Sequence, residues 1–271
     1  MEHKSISDWV EQRKLRGYYS FNFEEVREEY GYRDDSYIST ALTRLVRGKK
    51  IINPTKGFYV IVPTEYGLTG LVPATFYIGK MMDFLGRSYY VGLLSAAAFY
   101  GAAHQRPQSF FVMNNGVSLR DSVRAGIQFS FIRKKDIPDK YIESRKGKLS
   151  EIRVSTPELT AIDMIEYQNK VGGLNRVCSV LNELCDSIKF DSVDDNFFRI
   201  YDLPVYQRLG YILEQVLEET ELADELYTRM EKLGLTSTFR RVPFKVGKPS
   251  GNCEINSQWK IIINQEIEID E

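Results

Sequence analysis

The sequence predicts an α+β fold: an N-terminal winged helix-turn-helix over residues 1–62, followed by a larger mixed α/β C-terminal domain over residues 63–271. Three observations predict it. Within the first 62 residues, three segments with apolar side chains at helical spacing precede a short hairpin pattern. A stretch rich in Gly, Pro and Thr follows at residues 63–73 and marks a boundary. Beyond it, helix and strand patterns are mixed, with helix in excess.

Residues 5–16 carry Ile6, Trp9 and Val10 on one helical face and stop at Gly17. Asn22 is placed to cap a short helix ending at Glu29, with Phe23, Val26 and Tyr30 on one side and Gly31 beyond. A third helix, capped by Asp35 or Ser36, carries Ile38, Ala41, Leu42, Leu45 and Val46 as one apolar stripe and ends at Gly48. Residues 51–52 and 58–62 then read as strands around a turn at residues 53–57, completing a winged helix. Trp9 and Tyr59 are assigned to packing.

The third helix gives the functional expectation. Its other face holds Ser36, Ser39, Thr40, Thr43, Arg44 and Arg47, all hydrogen-bonding, none acidic, and small toward the N-terminal end. Such a face suits a major groove, while a basic hairpin suits phosphates. Polar residues are also ordinary on a solvated helix. What favours nucleic acid is that charge reverses here: residues 1–32 hold five Lys or Arg against seven acids, whereas residues 33–56 hold six against two. The expected DNA-contacting residues are Arg33, Ser36, Tyr37, Ser39, Thr40, Thr43, Arg44, Arg47, Lys49, Lys50 and Lys56.

After the boundary, residues 73–85 and 91–100 read as helices, and 109–113, 127–133 and 152–154 as strands, with Ile127, Phe129 and Phe131 alternating inward. Ser155-Thr156-Pro157-Glu158 opens a helix with capping-box spacing. The helix from Leu174 carries apolar residues through Ile188, including Cys178 and Cys185, and Leu209, Ile212, Leu213, Val216 and Leu217 repeat the pattern. Residues 259–263 supply a late strand.

Chemistry is excluded more readily than assigned. The net charge of −1 argues against a protein that coats nucleic acid or an anionic membrane, leaving local patches to act. Cys178, Cys185 and Cys253 are odd in number and lack CxxC spacing, which fits a reducing compartment. His3 and His104 cannot build a His-rich metal site, and His104 reads as a loop residue rather than a catalyst. Phosphate-binding, dinucleotide-binding, zinc-protease and nucleophile-elbow motifs are absent. Asp194-Asp195 lacks the glycine turn a nucleotidyltransferase needs and reads as a loop. No catalytic residue, metal or cofactor is expected. Residues 1–16 lack the apolar core of a signal peptide and no stretch is apolar enough to span a bilayer, so the cytoplasm is expected. Residues 206–234 hold seven acids against three bases, a soluble face or a surface for a basic partner, and the acidic tail Glu266, Glu268, Asp270 and Glu271 is equally open.

Several stretches resemble the AbiEi antitoxins of AbiE-type (type IV) toxin–antitoxin systems. They are residues 45–52 with 57–60; Ser95-Ala96-Ala97-Ala98-Phe99-Tyr100-Gly101-Ala102-Ala103-His104-Gln105-Arg106-Pro107; residues 154–163; and Arg208-Leu209-Gly210-Tyr211. The resemblance implies a bacterial phage-defence antitoxin that also represses its own operon by binding inverted repeats in promoter DNA. It implies a nucleotidyltransferase-like toxin as functional partner, without requiring a stable complex. No motif marks toxin-facing residues. Two other readings stay open: an enzyme of nucleotide transfer, and a winged-helix protein-interaction module that does not bind DNA.

Overall fold

The computed structural model describes residues 5–102 and 108–267, which fall into two compact units. His3, His104, the end of the 95–107 motif, and Glu268, Asp270 and Glu271 lie outside the described residues. The mixture of helix and sheet agrees with the expected fold class at that level.

The first unit comprises residues 1–90, 108–137 and 144–154. It opens with α1 (Ile6–Leu15), β1 (Ser20–Asn22), α2 (Phe23–Glu29), α3 (Asp35–Arg47), β2 (Ile51–Thr55) and β3 (Phe58–Ile61). The Asn22 side chain accepts from the Glu25 amide while the Glu25 carboxylate accepts from the Asn22 amide, a reciprocal cap that fixes the start of α2. On α3 the cap is Asp34, not Asp35 or Ser36: Asp34 is extended, and its carboxylate accepts from the Tyr37 amide at 2.7 Å. Asp35 is already helical and pairs with Arg27 of α2 at 3.3 Å. At the other end Gly48 caps with ordinary negative φ, and Lys49 takes the left-handed turn at φ +55°.

The hairpin turn is tighter than the expected 53–57. Asn53 donates to the carbonyls of Thr55 and Phe58, both at 2.8 Å, and pulls the chain into an irregular β2. The turn is left to Lys56 and Gly57, with Gly57 at φ +82°. β1 went unanticipated because three residues carry no readable alternation; it pairs antiparallel with β3, giving the order β1-β3-β2. Ile6, Trp9, Val10, Phe21, Val26, Tyr30, Ile38, Leu42, Ile51 and Ile61 form one buried cluster, with Ala41, Leu45, Val46 and Tyr59 packed at its edge. Trp9 and Tyr59 are packing residues as expected: Trp9 meets Phe21 edge-on at 5.1 Å, and Phe21 stacks on Tyr59 at 5.3 Å.

This unit continues with α4 (Ala74–Phe84) and all but four residues of a six-stranded sheet, β4 (Tyr89–Val91), β5 (Phe110–Asn114), β6 (Ser122–Arg124), β7 (Ile127–Arg133), β8 (Ile142–Lys146) and β9 (Glu151–Ser155), in the order β6-β7-β5-β4-β9-β8. β5 and β7 are parallel; β6 and β7 are antiparallel. The expected alternation on β7 fails, because Phe129, Ser130, Phe131 and Ile132 are all buried and the strand is therefore covered on both faces of the sheet there. Val91 belongs to β4 rather than to a helix. Contacts also cross the expected 62/63 division, which lies inside this unit: Phe84 of α4 packs on Phe58 at 5.5 Å, and Phe76 meets Tyr19 at 6.0 Å.

The second unit comprises residues 91–107, 138–143 and 155–271. Its helices are α5 (Leu93–Ala97), α6 (Pro157–Glu166), α7 (Leu174–Leu184), α8 (Leu203–Tyr211) and α9 (Thr220–Lys232), with a short parallel pair, β10 (Val242–Pro243) and β11 (Ile261–Ile262). The expected capping box on α6 does not form. Thr156 is the cap, and Glu158 is buried where its carboxylate accepts from the Lys189 amide at 2.9 Å. Cys178 and Cys185 are buried thiols on the apolar side of α7 and the turn after it, as expected. The late strand shrinks to two residues because residues 257–259 form a turn and Lys260 takes a left-handed φ of +56°; Trp259 lies in that turn, buried against Gly210. Asp194 is no free loop residue: it caps the turn Asp195–Arg199 and bonds Lys140 and Tyr141.

Candidate nucleic-acid interface

α3 presents two unlike faces. Ile38 and Leu42 are buried, and all eleven residues expected to contact DNA are exposed. Ser36, Ser39, Thr40, Thr43, Arg44 and Arg47 recur at three- and four-residue steps and therefore line one side of the helix. The Thr43 hydroxyl donates to the Ser39 carbonyl at 2.8 Å, which leaves its oxygen as an outward acceptor. At the start of the helix, the Arg33 guanidinium lies over the rings of Tyr32 and Tyr37, at 5.3 and 5.0 Å, so a planar cation is held beside Ser36.

The basic residues divide by what they already touch. Lys49 donates to the Leu68 carbonyl at 3.1 Å, and Lys50 lies 3.6 Å from the Glu11 carboxylate. Arg44, Arg47 and Lys56 make no side-chain hydrogen bond or ion pair with other described residues. Those three cations keep their full hydrogen-bonding capacity for a ligand; the two lysines must exchange a partner.

Charge is sorted by structural unit. The first unit contains 22 Lys and Arg against 14 Asp and Glu, a net of +8; the second contains 14 against 23, a net of −9. The overall −1 thus conceals a basic body and an acidic one, and the basic body is the one that carries α3 and the hairpin. Segment counting missed this because the strands of the six-stranded sheet come from three separate stretches of chain.

Arg124 was also missed, since no local pattern marks it. It lies on the edge strand β6, half-buried over the Phe131 ring at 5.1 Å. Its Nε donates to Ser122 Oγ at 3.0 Å, and its guanidinium reaches the carbonyl of Pro54, 70 residues away in the hairpin, at 3.3 Å. Burial pulls its pKa below the usual arginine value, with Tyr77 opposing.

The polar residues of the later motifs are occupied internally. Ser155 and Thr160 share a 2.6 Å hydrogen bond, Asp163 accepts from the Tyr201 hydroxyl at 2.6 Å, and Arg208 donates to the Pro243 carbonyl at 3.1 Å. These groups brace α6 and α8 within the second unit. Among the described residues no group of three His, Cys, Asp or Glu is placed to hold a metal ion, and no helix is long and apolar enough to cross a membrane.

The RV2827C protein from Mycobacterium tuberculosis has a similar fold, with a TM-score of 0.66 and 12% identity over 94% of this chain and 89% of that one. An antigenic nucleotidyltransferase-like protein from Paracoccidioides brasiliensis aligns with a TM-score of 0.40 and 10% identity, over 56% of this chain and 90% of that one. No curated protein matches by sequence. Residues 90–215 match the AbiEi antitoxin C-terminal domain family. They include the 154–163 and 208–211 motifs, whose side chains hold α6 and α8 in place. Through residues 90–215, just under half of its length, the chain is therefore similar to the AbiEi antitoxin C-terminal domain.

Proposed function

We propose that the protein is the antitoxin of an AbiE-type (type IV) phage-defence system and the repressor of its own operon, acting without catalysis in the bacterial cytoplasm. In this reading α1 to α3 and the β1-β3-β2 sheet form a winged helix-turn-helix, with α3 as recognition helix and β2–β3 as wing. Residues 63–271 carry the antitoxin activity. The observation that carries the DNA reading is the exposed polar and cationic face from Ser36 to Arg47, in a unit with a net charge of +8.

Each side chain has a role in that reading. Arg44 and Arg47 present forks that match guanine edges or phosphates, while Ser36, Ser39, Thr40 and Thr43 are short enough to let the helix approach bases. Arg33 and Tyr37 flank the groove, and Lys49, Lys50 and Lys56 meet phosphates, Lys56 from the wing tip. Inverted repeats in the promoter would be occupied by two copies. The functional partner is a nucleotidyltransferase-like toxin, which need not be bound stably.

The test has two arms. Co-expression with the neighbouring reading frame should restore growth that this frame alone suppresses. A reporter under the upstream promoter should be silenced by the full chain and released by Arg44→Ala. Growth rescue without reporter silencing would retain the antitoxin and remove the repressor; silencing without rescue would do the reverse.

A further inference from the structure

The wing of a winged helix is a two-stranded projection with few contacts of its own, so its aim depends on what stands behind it. Here β2 lies next to β6, the edge strand of the six-stranded sheet. The Arg124 side chain links them. Arg124 sits over Phe131, is held at Nε by Ser122 Oγ, and donates through its guanidinium to the Pro54 carbonyl, two residues before Lys56. Pro54 is buried, Asn53 ties the same turn together, and on the β3 side Phe84 packs on Phe58 while the Phe23 amide donates to the Gly57 carbonyl at 2.8 Å, so the wing tip is a stiff body that this guanidinium holds from the β2 side.

We infer that Arg124 is a positioning residue for DNA binding, which fixes the angle of the wing from the neighbouring sheet and contacts no DNA itself. The inference rests on the DNA-binding reading given above. Its physical basis is the fork: one planar group bonds Ser122 and Pro54 in different directions at once, which a lysine ammonium on a flexible stem reproduces poorly. It follows that the DNA-binding body extends past residue 62 to include β6 and β7.

The experiment uses the full chain and a labelled duplex of the DNA immediately upstream of its own reading frame. Arg124→Ala should weaken binding by about tenfold, within the range of couplings for residues in contact. Lys56→Ala should weaken wild-type binding and add little in the Arg124→Ala background, because a misdirected wing has no Lys56 contact left to lose. Arg124→Lys, which keeps the charge, should bind like Arg124→Ala. Ser122→Ala, which frees Nε without opening the core, should lose affinity in the same direction and keeps the test available if Arg124→Ala does not fold. Independent, multiplicative effects of Arg124→Ala and Lys56→Ala, or wild-type affinity in Arg124→Lys, would overturn the inference and leave the repressor reading standing. Failure of the wild-type chain to prefer this duplex over a shuffled one would instead remove the repressor reading itself.

Discussion

Gly210 and Trp259 are in such close contact that a Cβ on Gly210 would fall 2.1 Å from Cη2 of the indole and within 2.4 Å of two further ring atoms. Trp259 is fully buried and is flanked by Tyr227 at 5.3 Å and Phe239 at 6.3 Å, so the ring has no space to retreat. Gly210→Ala is therefore expected to destabilise the protein by about 3 kcal/mol, the upper part of the range for overpacking a rigid core. Urea unfolding followed by tryptophan fluorescence checks this; a change below about 1 kcal/mol would show that the packing relaxes easily.

A second expectation concerns the brace between α6 and the segment before α8. Asp163 is fully buried and accepts from the Tyr201 hydroxyl at 2.6 Å. Tyr201→Phe removes that donor with little change of shape, at an expected cost of about 1 to 2 kcal/mol. The same unfolding measurement decides it, and an unchanged midpoint would mean that the carboxylate finds an equivalent donor.

Burial of thiols and phenols makes alkaline pH destabilising. Burial pushes the Cys178 thiol from 9.0 up to about 12, and Tyr89 from 10.0 up to about 12. These are acids whose folded pKa is raised. Below about pH 9 both states hold their protons and stability is flat; above it, the unfolded chain ionises first and folding weakens until the folded pKa is passed. Cys178 alone should contribute a loss of about 1.4 kcal/mol per pH unit in that window. Thermal or urea unfolding between pH 8 and pH 11 should show the decline, and Cys178→Ala should flatten it by about one group's share. An identical slope in the variant would contradict the assignment.

How much of this was legible beforehand differs by element. The apolar stripes of α3 and α7 were readable because each has one buried face at a fixed helical step. The cap of α2 was legible at Asn22, but that of α3 was read one residue late: aspartates stand at both 34 and 35, and only the backbone shows that Asp35 is already helical. At α6 the spacing favoured Ser155, but that residue ends a strand, so Thr156 takes the cap. β1 and β6 are three residues each and take their conformation from the strands beside them, which a single sequence does not display. The expected contact residues on α3 are exposed because the helical period places them opposite Ile38 and Leu42, whereas Arg33, Lys49, Lys50 and Lys56 lie outside the helix and are exposed in the segments around it. Arg124 lay beyond reach because its significance arises only when the chain brings position 124 to position 54.

On the interface, Lys56→Ala is expected to weaken binding to every duplex alike and to reduce the steepness of the salt dependence by about 0.9 in log K against log salt, the share of one phosphate contact. Titrations at several salt concentrations measure this. An unchanged slope would remove the wing tip from the phosphate contacts.

The most direct measurement is a fluorescence anisotropy titration of the full chain and its Arg44→Ala variant. It uses the upstream duplex and a shuffled duplex of the same composition. The exposed face of α3 predicts that the wild-type chain prefers the upstream duplex and that Arg44→Ala loses about tenfold or more of that preference. It also predicts that the variant keeps most of its salt-sensitive affinity for the shuffled duplex. Equal affinity of both proteins for both duplexes would contradict the assignment of that face to DNA.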